Sequence, residues 1–310
     1  AIDRSRTSMG SRKLKRWMAS PLTDLEQILA RQKWVSLFVS DKAELNRVRT
    51  HLKETLDLER LSSRISMGRH LPKDLVGISI TVKAFFSIME ARYSALLDPS
   101  ITEDQLMTLV SLSQTIDRAI DDRLQGPFEE GRVILDGYDG SLDEKRALKR
   151  GGKELLAHYL EAVKEETGIT TIKLSSNKIH GHFLEVSKTQ ASKMPATFYR
   201  KQTLVNAERY TSDELIALEE RILESAGEAE EREREVYDEL VERARSAHHL
   251  LAHVSSFLSD LDALASMGWC AIEHSYCCPT FTDEDQIIIK EGRHAVVEQH
   301  LGVGQFVAND

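Results

Sequence analysis

Apolar residues recur at steps of three and four along most of this chain, the spacing that places side chains on one face of a helix. Leu22, Leu25, Ile28, Leu29, Val35 and Phe38 form one such face, and Leu45, Val48, Leu52, Leu56, Leu58 and Leu61 form a second. Residues 74–96 repeat the habit, and Asp98-Pro99 and Gly126-Pro127 punctuate the series as turns. After the turn-rich Asp136-Gly137-Tyr138-Asp139-Gly140, Ser141 and Glu144 stand at capping-box spacing. They predict a helix striped by Leu148, Leu155, Tyr159 and Val163 and stopped by Gly168. A bend is expected at Gly151-Gly152, since each glycine costs about 1 kcal/mol relative to alanine.

Thr211 and Glu214 repeat the capping signal and open a longer helix, expected to run to Met267 just before Gly268. Its apolar seam passes through Leu215, Leu218, Ile222, Ala226 and Ala229, then resumes at Val236 and continues to Leu261. Between these lies Glu230-Glu231-Arg232-Glu233-Arg234-Glu235, expected to be solvated. Roughly 55 helical residues would span about 80 Å, more than a compact domain of this size is wide. The two helices are therefore expected to run out and back as an antiparallel pair. Between them the period changes to two: residues 169–174 and 183–186 are β-rich and predict a small sheet.

Composition adds limits. The chain has 310 residues and 41% hydrophobic content, room for about two domains with buried cores. No run of about 18 apolar residues and no charged-then-apolar leader is present, so no membrane partner and a cytoplasmic location are expected. Cys270, Cys277 and Cys278 lack framework spacing, which suits a reducing compartment, and with His274 they make a poor zinc set because no pair has the C-x2-C arrangement. Asp117, Asp121 and Asp122 alternate with Arg118 and Arg123 and read as a solvated face with local ion pairs. Gly126 to Gly131 has the glycine separation of a phosphate-binding loop but continues with Arg132-Val133 in place of Lys-Ser or Lys-Thr.

Charge changes the picture more. Residues 169–209 hold seven cations (Lys173, Lys178, Lys188, Lys193, Arg200, Lys201, Arg209) against Glu185 and Glu208, in a chain whose net charge is -9. Lys and Arg among Ser, Thr, Asn and Gln donors suit a phosphate backbone. A solvated, lysine-rich sheet fits the same composition.

The order of residues carries a resemblance. Asn177-Lys178-Ile179-His180-Gly181-His182-Phe183-Leu184-Glu185-Val186 and Tyr199-Arg200-Lys201-Gln202-Thr203-Leu204-Val205-Asn206-Ala207-Glu208-Arg209-Tyr210 resemble the clamp region of the MutS family of DNA mismatch repair proteins. Thr7-Ser8-Met9-Gly10-Ser11-Arg12-Lys13-Leu14-Lys15-Arg16-Trp17 with Pro21-Leu22 resembles that family's first core helix. Cys278-Pro279-Thr280-Phe281, Glu291-Gly292-Arg293-His294 and Phe306-Val307-Ala308-Asn309 resemble the entry to its ATPase domain. The resemblance implies a mainly α chain: a helical core (residues 1–140), a long antiparallel two-helix lever (141–168 and 211–267) carrying a small antiparallel β clamp at its tip (169–210), and the start of an ATPase domain (268–310).

The resemblance also implies roles. Residues 175–178 would form a turn, and Lys173, Ser176, Asn177, Lys178 and His180, with Arg200, Lys201, Gln202 and Thr203 on an adjacent strand, would bind duplex DNA through its backbone. His180 is equally readable as a half-buried sheet residue, Phe183 and Tyr199 are expected in the sheet core, and His182 stands where the family commonly has an aromatic. Phe306 matches the residue that stacks on adenine, but the phosphate loop would follow Asp310, so ATP and Mg are expected for the intact protein and no cofactor for these residues. Ala295 and Ala308 depart from prolines common in the family. The implied partners are double-stranded DNA, a second copy in a homodimer and mismatch repair proteins, in a bacterial, nucleoid-associated setting. Two alternatives are a MutS-like recombination protein without a mismatch-reading domain, and a structural helical arm that binds proteins.

Overall fold

The computed structural model describes all residues except 1, 90, 125, 130, 178–180, 283 and 302–304, and the side chains of Ala91 and Leu148. It is mainly helical with one small antiparallel sheet. The chain divides into two compact units, residues 1–118, 122–127 and 240–310, and residues 119–121 and 128–239.

The first unit holds α1 (Ser8–Ala19), α2 (Leu25–Ser40), α3 (Lys42–Glu54), α4 (Leu58–Ser66), α5 (Pro72–Ile88) and α6 (Glu103–Ala119). Side-chain acceptors fix four starts: Thr7 takes the Gly10 N–H, Asp24 that of Gln27, Asp41 that of Glu44 and Asp57 that of Arg60. Pro72 opens α5, and its Asp74 reaches back to the Leu71 N–H at 2.9 Å. Helices α1 to α5 pack around α9 (His248–His274), whose Val254, Leu258 and Leu261 are fully buried.

Several sequence expectations change here. The helix expected over 211–267 is two helices, α8 (Asp213–Ser246) and α9, separated at Ala247. Nor does α9 stop before Gly268: it passes through that residue, where a Cβ would lie 2.8 Å from the Phe38 Cβ, and ends at Ser275 with φ 54. Gly268 is thus a close-packing glycine rather than a stop. On α2 only Phe38 is fully buried, while Leu25 and Leu29 of its expected inner face are more than 40% exposed. Asp117 is held by α5, from Ser79 Oγ at 2.6 Å and Lys83 Nζ at 2.7 Å, and not by neighbours on its own helix. Among the described residues of 276–310 there are one bridge, Gly292 to Asn309, and the short α10 (Ala295–His300).

The second unit is built on α7 (Gly140–Thr167) and the facing part of α8, which run antiparallel. Lys145 meets Glu228 at 2.6 Å, Lys149 meets Glu230 at 3.0 Å, and Tyr159 Oη lies 2.7 Å from Ser212 Oγ. The helices start at Asp139, which takes the Leu142 N–H, and at Ser212, which takes the Leu215 N–H, in place of the expected Ser141 and Thr211 caps. The stripe on α7 uses Leu156 with Tyr159 and Val163, while Leu155 faces out; the side chain of Leu148 is outside the described residues. Gly168 ends α7 at φ 66, as its position predicts. The helix runs unbroken through Gly151-Gly152. A Cβ on Gly152 would sit 2.6 Å from Ile222 Cγ1, so this glycine admits the Ile222 side chain of α8.

The charged run in α8 is not wholly solvated. Glu233 is 1% exposed and accepts the backbone N–H groups of Gly131, Val133 at 2.9 Å and Ile134 at 3.0 Å, and Arg146 Nη2 at 2.8 Å. A buried carboxylate persists only when its lone pairs are filled, and here the loop supplies the donors. Next to it Arg232 pairs with the capping Asp139, which lowers the Asp139 pKa.

Candidate nucleic-acid interface

Four strands follow α7: β1 (Lys173–Asn177), β2 (Gly181–Ser187), β3 (Tyr199–Thr203) and β4 (Ala207–Thr211), ordered β1-β2-β4-β3 and antiparallel throughout. Leu184, Val186 and Tyr210 point to the helices and join Leu156, Tyr159, Val163 and Leu215 in one cluster. Residues 169–172 are not strand: Ile169 and Ile172 follow the left-handed Gly168 as buried plugs of that cluster, which explains their apolar character without β pairing. Residues 175–177 continue β1 instead of turning.

The order separates the candidate residues. β1 and β3 are opposite edges, with β2 and β4 between them, so Arg200 to Thr203 are not on a strand adjacent to Lys173, Ser176 and Asn177. By register Ser176, Arg200 and Thr203 share the helix-facing side, and Lys173, Asn177 and Gln202 share the open side. Lys201 is the extra residue where the β3–β4 register shifts. All of these except the half-buried Gln202 are exposed. Lys178 and His180 lie outside the described residues.

Both acids of the basic segment serve arginines. Glu208 meets Arg200 at 3.4 Å and accepts the Tyr210 hydroxyl at 2.5 Å, and burial with that bond pushes the Tyr210 pKa up to about 12. Glu185 meets Arg209 at 3.3 Å. Lys173, Lys188 and Lys193 carry no ion pair among the described residues, and the last two, in the β2–β3 connection, belong to the basic segment but not to the expected contact set, because their position needs the strand order. Phe183 is buried as expected, but beneath the Arg209 guanidinium, 4.3 Å from its ring; Tyr199 is 49% exposed, not core, and donates to Asp213. That bond raises the Tyr199 pKa.

Helix α8 holds the start of β2. Glu219 accepts the His182 N–H at 3.0 Å and lies 3.3 Å from His182 Nδ1, and it fills the space beside Gly181, whose φ is 62. His182 therefore takes a polar partner where the family's aromatic would pack.

The remaining candidate residues lie outside the sheet. Phe306 is half-buried, and Arg293 is engaged by Glu298 and the His274 carbonyl. The three cysteines are free thiols, and among the described residues no group of three His, Cys, Asp or Glu could hold a metal ion. No helix of the described residues is long and apolar enough to cross a membrane.

Comparison with known families matches residues 1–268 to MutS domain III. The DNA mismatch repair protein MutS of Rhodopirellula baltica is 36% identical over 311 residues, covering all of this chain and 35% of that relative. Those of Salinibacter ruber and Thermotoga maritima are 35% and 34% identical, with all of this chain covered and 34% and 38% of the relative. The chain thus spans about a third of the length of the curated relatives it matches.

Proposed function

The chain belongs to the MutS family, and from that premise we propose that its four-stranded sheet grips the backbone of duplex DNA without reading sequence, while α7 and α8 couple that grip to the rest of a mismatch repair protein. The observation that carries this reading is the charge arrangement. Lys173 and Lys201 stand on the two edge strands and Lys188 and Lys193 in the β2–β3 connection, while both acids are occupied by Arg200 and Arg209. Three strand spacings separate the edges, about 14 Å. That is comparable with the roughly 12 Å major groove, so the edges meet different phosphates. Ser176, Asn177, Gln202 and Thr203 add hydrogen bonds that position without specifying, and Lys178 and His180, outside the described residues, are assigned to the same contact.

Coupling rests on contacts inside the second unit. Glu219 joins α8 to the start of β2, and Glu233 joins α8 to residues 131–134 and to α7. A displacement of α8 is thereby felt by the sheet. In this reading the residues described here take no cofactor; ATP and Mg, a homodimeric state, repair partners and a bacterial cytoplasmic, nucleoid-associated location belong to the intact protein.

The test is fluorescence anisotropy of a labelled duplex of about 30 base pairs across a salt series. About four phosphate contacts predict roughly a hundredfold loss of affinity between 50 and 200 mM salt. Lys173→Gln and Lys201→Gln should each reduce the slope by about 0.9, equally for matched and mismatched duplexes. Binding indifferent to both substitutions would remove the sheet from the contact.

A further inference from the structure

We propose that Glu185 and Arg209, paired on the open face of the sheet, form an exchangeable ion pair that limits the affinity of the grip: Arg209 is a reserve cation that a DNA phosphate must take from Glu185. The proposal rests on the reading of this sheet as a DNA-binding surface and names a residue that sets its strength.

The register places Lys173, Glu185, Arg209 and Gln202 in one cross-strand row that spans the sheet from edge to edge. Cross-strand neighbours in such a row lie within about 5.5 Å, close enough for their charges to interact directly. Arg209 Nε meets Glu185 at 3.3 Å, and Nη1 donates to Gln202 Oε1 at 2.9 Å. Its guanidinium rests on Phe183, and its side chain is 21% exposed against 34% for Glu185. The cation is thus supported from below by an aromatic ring and held at the sides, with solvent above.

The bond to Glu185 is a single long contact, unlike the pair between Arg232 and Asp139, which uses two nitrogens at 3.3 and 2.8 Å. Nor is Glu185 fixed otherwise: no second donor to it is found among the described residues, whereas Glu208 also accepts from Tyr210. Phosphate accepts from arginine in the same forked geometry as carboxylate, and its arrival displaces Glu185 without moving the guanidinium off Phe183. The released carboxylate then faces a polyanion between two cations, which opposes binding.

The experiment measures salt-dependent duplex affinity for Glu185→Gln, Arg209→Gln and the double variant, alongside Lys173→Gln and Lys201→Gln. Glu185→Gln is expected to steepen the salt slope by about 0.9 and to tighten binding about eightfold at 0.1 M salt, and Arg209→Gln is expected to cancel that gain. Glu185→Thr, suited to a strand, should reproduce it if the Gln variant folds poorly. A gain that survives Arg209→Gln overturns the exchange, as does an unchanged slope in Glu185→Gln while the lysine variants still weaken binding. Insensitivity to the lysine variants as well would instead remove the DNA-binding reading itself.

Discussion

Glu44 shows how much one side chain can hold. It is buried, accepts Arg47 through Nε and Nη2, both at 2.8 Å, and accepts the Tyr93 hydroxyl. Arg47 first, against burial, pulls the Glu44 pKa down to about 2 from an ordinary 4.5. A folded value below the unfolded one gives stability that is present above about pH 4.5 and lost as pH falls toward 2. Unfolding by urea at several pH values should show that loss, and Glu44→Gln should flatten the acid limb at a cost of about 2 kcal/mol near neutrality. Glu233 makes a different point about what the sequence reveals. It stands four after Ala229 and three before Val236, on the seam itself, so its burial follows from the spacing once the charge is ignored. Its donors do not follow, because three N–H groups of a distant loop converge on it only in the fold. Glu233→Gln keeps the shape but turns an amide toward those donors, and should cost about 2–4 kcal/mol with faster exchange of the Val133 and Ile134 amides.

Among the elements, the paired helices were legible and their interruptions were not. Steps of three and four locate α7 and α8, and a lone glycine marks the end of α7. The break at Ala247 carries no local signal, since alanine is the best helix former, and tertiary packing of α9 decides it. Gly151-Gly152 reads as a single weak point but separates into two roles: nothing lies within 4 Å of a Cβ on Gly151, while Gly152 faces Ile222. Gly151→Ala should therefore stabilise the second unit by about 0.5–1 kcal/mol, and Gly152→Ala should destabilise it because Ile222 must move. Thermal unfolding of the two variants, with midpoints moving in opposite directions, checks this. Ile169 and Ile172 were misread as strand because a buried plug and a buried strand share the same apolar composition.

Across the whole molecule, charge marks residues 169–209, with five net positive charges in a chain of -9, but it fits a solvated sheet as well as a grip, and the resemblance in residue order is what separates the two. Which residues share an edge could not be read from the chain. β2 pairs with β4, and residues 188–198 cross to bring β3 to the far side, so strands close in sequence become opposite margins. Those margins have a consequence apart from DNA. Each edge strand leaves a row of unpaired backbone groups that invites another molecule to add a strand. β1 presents Lys173, Ser175, Ser176 and Asn177 to solvent, and β3 presents Arg200 and the bulged Lys201. Lysines at such edges disfavour edge-to-edge pairing of copies. Replacing Lys173 and Ser175 by valine should raise light scattering on storage at low salt, a cost in colloidal stability that accompanies any attempt to neutralise this surface.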